Sequence, residues 1–275
     1  MSNETLGAPL HCRVVAHRSL GLAQGDEPSL SEVLKSAGDY VASFERNASL
    51  VAEEDYYQFV ENNRRTLHSD MLFIPDEAFG WVEFRDVATT DGIPIRERQE
   101  RLLTLFTKPN PDRVKQAQRI VAEGARFNLS PRGARLNRTI NLPLTAIRFL
   151  RPVSQHRSAF QIGKWSRGSR IVSLEFTEQY RPRLINTPDQ AAASGRFEIE
   201  KATGRVTTST LLLQSGSVLA TIAVKFAHDP KLGLWLPLTM EEQYRGGWWV
   251  GLVTGQAKYS GYRQFRVETS EAIKH

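Results

Sequence analysis

The side chains that could do acid–base or metal chemistry are few and scattered. Six histidines stand at positions 11, 17, 68, 156, 228 and 275, and no two have the three-to-five-residue spacing that sets a pair of imidazoles on one helix face for a metal. His68 and Asp70 lie two apart in an expected strand and so share a face, but a base needs a nucleophile within reach and none is identified. In Gly163-Lys164-Trp165-Ser166-Arg167-Gly168 the first glycine is one residue too far from the serine for a Gly-x-Ser-x-Gly elbow. Cys12 is the only cysteine, which excludes internal disulfides and a zinc site built on several thiolates. Gly246-Gly247 and Gly251 come without the lysine and the following helix of a phosphate loop. Glu53-Glu54-Asp55 is an acidic trio, but strand alternation splits it between two faces, and it reads as a solvated strand edge. No catalytic residue, metal or cofactor is expected from these patterns.

Charge is more informative. Residues 124–174 contain no Asp or Glu but ten Lys or Arg: Arg126, Arg132, Arg135, Arg138, Arg148, Arg151, Arg157, Lys164, Arg167 and Arg170. The chain has 36 basic and 30 acidic residues, so 26 face 30 outside this block, which therefore carries the whole positive charge. Clustered in space, it would hold phosphate, anionic lipid or nucleic acid; dispersed, it is a set of solvated arginines. Phe127, Phe149, Phe160 and Trp165 are interleaved with the cations, as in grooves that stack single-stranded bases. Phe149 and Phe160 are more simply core residues, however, and no nucleic-acid motif is present. Nucleic acid is the less favoured partner.

The elements that must position these residues change period along the chain. Ser29 with Glu32 signals a helix start, and Leu30, Val33, Leu34, Ala37, Val41 and Phe44 form its apolar face. Residues 56–60 and 81–87 alternate as strands, with Asp91-Gly92 as a turn. Two helices follow, over 96–107 with Leu102, Leu103 and Phe106 inward, and over 112–128. A short helix is expected after Asn141-Leu142-Pro143, ended by Pro152. From Ser158 the pattern is a meander, with a hairpin turn at Lys201-Ala202-Thr203-Gly204 and a last strand over 256–268. Strands joined by short turns, with helices in separate runs, predict an α+β fold: a large curved antiparallel sheet, an incomplete β-barrel, covered by several helices.

Composition sets the frame for that fold. With 40% hydrophobic and 24% charged residues the chain has an ordinary globular balance, and no run reaches the roughly 18 apolar residues of a membrane-spanning helix. Residues 1–28 carry no periodic apolar pattern and read as a disordered tail or the remnant of an export segment. Residues 29–275 read as one domain. Oligomeric state is not legible.

The run Gly195-Arg196-Phe197-Glu198-Ile199-Glu200-Lys201-Ala202-Thr203-Gly204-Arg205-Val206 resembles a hairpin in a family of uncharacterised exported bacterial proteins. Asp229-Pro230-Lys231-Leu232-Gly233-Leu234-Trp235-Leu236-Pro237 and Ala257-Lys258-Tyr259-Ser260-Gly261-Tyr262-Arg263-Gln264-Phe265 resemble segments of the same family, as do Glu53-Glu54-Asp55-Tyr56 and Arg85-Asp86. The likeness spans roughly residues 29–270. More distantly, the order of elements is similar to the periplasmic lipoprotein carrier and receptor fold, in which helices lid an apolar cavity in an incomplete barrel. The resemblance implies a periplasmic or exported protein, with a cytoplasmic location as the alternative.

These readings converge on a non-enzymatic carrier for a lipophilic, anionic ligand or a lipoprotein acyl chain, with an anionic membrane surface as its other partner. Val82, Phe84, Phe197, Ile199, Ile222, Val224, Leu236, Leu238 and Met240 would line the cavity, and Ile140, Leu142, Leu144, Ile147 and Phe149 would form the lid. Arg126, Arg135, Arg138 and Arg148 would ring the opening, each contact with an anionic surface adding about 1 kcal/mol. Residues 157–170 would form a solvated hairpin. An enzyme of another type would instead show a polar cleft with convergent titratable groups, and a partner-binding module a solid interior with dispersed arginines.

Overall fold

The computed structural model describes residues 28–47, 49–107, 111–131, 136, 138–247 and 251–265, with only the backbone described at 101–103, 106, 107 and 113. The expected tail, Arg135, the inward side chains of Leu102, Leu103 and Phe106, and the end of the last expected strand lie outside the described residues or side chains.

Alternation builds one large sheet. Its strands are β1 (Leu50–Val60), β2 (Asn63–Asp76), β3 (Gly80–Thr90), β4 (Ile93–Pro94), β5 (Ser158–Ile162), β6 (Ile171–Glu178), β7 (Ala193–Glu200), β8 (Val206–Ser215), β9 (Val218–Asp229), β10 (Leu234–Arg245) and β11 (Leu252–Gln264). They lie in the order β4-β3-β2-β1-β11-β10-β9-β8-β7-β6-β5, an open sheet of 11 strands. Ladders are antiparallel throughout, and β1 pairs with β11 to join the amino-terminal hairpins to the long meander.

The order dictates what covers the sheet. Because β4 and β5 are opposite edges, the residues between them, 95–157, must cross its width. They carry α2 (Arg98–Thr107), α3 (Arg113–Ala125), an irregular stretch, a 3-10 turn (Ala146–Leu150) and α4 (Pro152–Gln155). Leu144, Ala146, Ile147, Phe149 and Leu150 of this crossing are buried in one core with the sheet. Beside them lies α1 (Leu30–Arg46), which buries Val33, Ala37, Val41 and Phe44, the face its helical spacing predicted. Each such large apolar side chain contributes roughly 1.5–3 kcal/mol through burial. Ser29 takes the N-cap place, but its hydroxyl pairs with Ser31 and makes no cap bond.

Two contacts fix α1, one to α4 and one to a turn of the sheet. The Gln155 side-chain amide donates to the Leu34 carbonyl, 2.9 Å away. Gly204, in the β7–β8 turn, has φ +70°, and a Cβ there would lie 2.0 Å from the Ser36 carbonyl oxygen. Only a glycine permits both the left-handed backbone and that approach.

On the other side of β3, α3 packs Ile120 and Ala117 onto Val82 and Phe84, with Leu105 of α2 completing a second, smaller cluster. Its N-cap is Asp112, whose carboxylate accepts from the Val114 and Lys115 amides. Strand β3 is consequently buried along both faces.

Candidate functional site

The polar centre of the molecule lies under the crossing segment. Alternation in β1 turns Glu54, Tyr56 and Gln58 to the covered face, between Ala52 and Val60, and all are fully buried or nearly so. β1 is a central strand, so the acidic trio is no solvated edge: Glu54 faces the core while Glu53 and Asp55 face solvent. Gln58 of β1, Gly255 of β11 and Glu242 of β10 stand opposite one another in register. A Cβ at position 255 would lie 2.6 Å from Glu242 Oε1 and 2.8 Å from the Tyr56 ring, so the glycine makes room for the carboxylate to reach the phenol. The Tyr56 hydroxyl donates to Glu242 Oε1.

Arg138 descends into this space from the cover. Its guanidinium donates to Glu242 Oε1 and Gln58 Oε1, to the Leu129 carbonyl at 2.8 Å and to the Tyr56 oxygen at 3.3 Å. Its Nε has no hydrogen-bond partner. The Asn128 side chain holds the Arg138 carbonyl at 3.0 Å, and Asn141 donates to the Tyr56 oxygen at 2.9 Å. Burial opposes the Arg138 charge, but Tyr56 and Glu242 more than offset it and raise its pKa. Burial, reinforced by Glu242, pushes the phenols of Tyr56 and Tyr244 well above their ordinary range.

Two further latches flank the first. Arg85 of β3 closes on Glu54 with two hydrogen bonds, 2.6 and 2.9 Å, and donates to the Asn141 carbonyl at 2.9 Å. Its guanidinium also lies 4.5 Å from the Tyr56 ring centroid. Glu83 accepts the Leu144 amide at 2.9 Å, with Arg148 at 3.8 Å. Burial raises the Glu83 pKa, and Arg148 counters it only in part. Arg148 donates to the Trp81 carbonyl at 2.9 Å and sits 5.5 Å from that indole. Chemically the cluster is a set of buried charge pairs, two of which, Arg138 with Glu242 and Arg148 with Glu83, hold acidic sheet residues against cover arginines.

The expected site residues divide. Phe197, Ile199, Ile222, Val224, Leu236 and Met240 share one core with the expected lid residues Leu142, Leu144, Ile147 and Phe149, and Ile140 packs on its margin. The interior is filled here: the seam lined by Glu83, Arg85, Thr139 and Asn141 has no room for a water molecule. Val82 and Phe84 do not line it, because β3 turns Trp81, Glu83 and Arg85 to the covered face and these two to α3. Leu238 is 49% exposed, as the extra residue of a bulge between Pro237 and Thr239. The helix expected from Asn141-Leu142-Pro143 to Pro152 is not formed; only Ala146–Leu150 winds, as a 3-10 turn.

The ring of free cations is also revised. Arg138 is buried in its ion pair, Arg148 is three-quarters buried beside Glu83, and Arg126 pairs with Glu123 at 2.8 Å. Arg151 pairs with Glu45 of α1. Three arginines of the block thus take carboxylates from the sheet and α1. Its later part is the hairpin between β5 and β6, with Lys164, Arg167 and Arg170 exposed.

His68 and Asp70 do not combine. His68 pairs with Asp55 at 3.0 Å on the open face, while Asp70 meets Arg98 and Arg263. Away from the covered cluster, a shallow concavity of ≈ 500 Å³ lies over β5–β8, where Gln161, Glu175, Arg196 and Thr210 stand in register. Among the described residues, no three His, Cys, Asp or Glu gather as a metal site.

Tyr56, Gln58, Glu83 and Glu242 were missed as site residues. A signal existed: Glu54, Tyr56 and Gln58 share the inward phase of one strand with Ala52 and Val60, and Glu83 and Arg85 interrupt an otherwise apolar run.

No family model and no curated protein matches the sequence. Among solved structures, the chain is similar to one described as an outer membrane lipoprotein-sorting protein domain from Vibrio parahaemolyticus. The TM-score is 0.42 at 11% identity, over 85% of this chain and 94% of that one, a likeness too distant to carry function.

Proposed function

We propose that the protein is a non-enzymatic binding or carrier protein for a lipophilic group such as an acyl chain, bound on the covered face of the sheet after residues 138–150 withdraw. The observation that carries this reading is how that segment is held. It has no strand pairing and only one 3-10 turn, so its displacement breaks no ladder. Its backbone is held by sheet side chains, Arg85 on the Asn141 carbonyl and Glu83 on the Leu144 amide. The same segment plugs the apolar face with Leu144, Ile147 and Phe149. Withdrawal would leave Phe197, Ile199, Ile222, Val224 and Met240 as an apolar surface with a polar margin. A place in the bacterial cell envelope belongs to the same reading and rests on the resemblance of the hairpin sequences.

The test is purification from the native host, followed by solvent extraction and mass spectrometry. A stoichiometric lipid or other lipophile supports the proposal. Its consistent absence, with no binding of added amphiphiles, removes it.

The filled core favours one other reading, a structural or partner-binding module whose cover never moves. In that case residues 138–150 would exchange their amides only on global unfolding, with or without added lipophile.

A further inference from the structure

The charges of the covered face are divided unevenly between the sheet and its cover. Beside the cover, the sheet contributes three buried carboxylates, Glu54, Glu83 and Glu242, and one guanidinium, Arg85. Arg85 is closed onto Glu54 by two hydrogen bonds. The remaining two carboxylates take their cations from the crossing segment, Glu242 from Arg138 and Glu83 from Arg148. When the cover withdraws, both cations go with it. The sheet would then present two uncompensated carboxylates at the edge of an apolar surface, which an anionic head would aggravate and a cation would relieve.

The place vacated by Arg138 is selective for more than charge. Three of the four residues that accept from its guanidinium, Tyr56, Gln58 and Glu242, belong to the sheet and would remain in place. They are held from outside the cover as well: Tyr56 lies under the Arg85 guanidinium, and the absent side chain of Gly255 leaves Glu242 its path to the phenol. The Tyr244 ring stands 5.7 Å from the Arg138 guanidinium carbon and offers a π face to a cation. Carboxylate, amide oxygen, phenol oxygen and aromatic face around one planar cation form a binding site for a guanidinium.

We infer that this is a guanidinium-recognising subsite, that Arg138 is its resident occupant, and that the guest admitted when the cover leaves carries a cationic head, guanidinium or primary amine, ahead of its apolar body. The inference rests on the carrier reading. It reverses the anionic head expected from the arginine block, because Arg138 and Arg148 of that block are already spent on the sheet's own carboxylates.

The experiment titrates the full-length protein, by calorimetry and below their micelle concentrations, with four amphiphiles of one chain length: dodecylguanidinium, dodecylammonium, dodecyl sulfate and dodecyl maltoside. The two cations are expected to bind at least about tenfold tighter than the sulfate and the maltoside, and Glu242→Gln to erase that preference. Arg138→Ala, which empties the subsite, is expected to tighten dodecylguanidinium by about tenfold, the constraint of displacing the occupant being gone. Since Arg138→Ala also exposes Glu242 to an unpaired burial, a second arm follows its thermal unfolding, or its refolding yield, with millimolar methylguanidinium against sodium at equal ionic strength. Stabilisation is expected in Arg138→Ala and not in the Arg138→Ala/Glu242→Gln double variant.

Tighter binding of the sulfate or the maltoside than of the cations overturns the inference and leaves the carrier reading standing. If none of the four binds either the native protein or Arg138→Ala, the carrier reading falls and the guest's identity with it. The methylguanidinium arm then decides the subsite alone: stabilisation that needs Glu242 upholds it, and its absence removes it.

Discussion

At the scale of single residues, the molecule keeps its cover in place with buried charge, and buried charge is unforgiving when one partner is lost. Glu54→Ala leaves the buried Arg85 guanidinium without its carboxylate partner, for an expected loss of about 3–5 kcal/mol in urea unfolding. Replacing both partners, Glu54→Leu with Arg85→Met, should recover most of it, since the pair contributes little net of its desolvation. A single variant no worse than the double would contradict this. Glu83 gives a pH signature. Burial raises its folded pKa above the unfolded value, so the group takes up a proton on folding. Its contribution is then complete below the unfolded carboxylate pKa of about 4.3 and is lost as pH rises through the raised value. The unfolding free energy of Glu83→Gln minus that of the native protein should therefore increase with pH across that window; a flat difference would remove the assignment. These residues were hard to read because polarity argued against burial. An acidic residue in a strand is ordinarily solvated, and only its pairing with Arg85, 31 positions away, makes the inward position tolerable.

At the scale of elements, local pattern identified the first helix, the β7–β8 hairpin turn and the meander, because each is written in spacing that neighbours along the chain decide. The cover was misread as a helix since Leu144, Ile147 and Phe149 have helical spacing while the backbone between Asn141 and Leu144 is held from outside, by Arg85 and Glu83. Pro152 opens α4 at its first turn, where a missing N–H costs nothing, and does not simply end what precedes it. The glycine turns offer a quantitative comparison. Gly92 has φ +78° with nothing within 4 Å of an added Cβ, so Gly92→Ala should lose only the about 1–2 kcal/mol of left-handed backbone. At Gly204 the same conformation is joined by a 2.0 Å clash with Ser36 on α1, and Gly204→Ala should destabilise by clearly more. Thermal unfolding of the two variants side by side checks it; equal losses would mean that the turn does not seat the helix.

At the scale of the whole molecule, the crossing from one sheet edge to the other explains the charge pattern that the sequence displays without explaining. Three arginines of the acid-free stretch 124–174, Arg138, Arg148 and Arg151, take their carboxylates from β10, β3 and α1. No local pattern reveals that, since the pairing of β1 with β11 and the opposite placement of β4 and β5 are decided by contacts between distant parts of the chain. The alternation that made a large apolar face legible could not say that the chain's own crossing fills it, nor that β3 would turn Val82 and Phe84 to a second cluster. The proposed carrier function requires this filling to be reversible, the latches being side-chain contacts at the margin of an apolar plug.

The most direct measurement is amide hydrogen exchange of residues 138–150, with and without a saturating amphiphile from the series above. Binding is expected to speed exchange in that segment by at least about tenfold while β1 and β11 inside the sheet stay protected. An amphiphile that binds while 138–150 remains as protected as before, or that protects only the concavity over β5–β8, would contradict it.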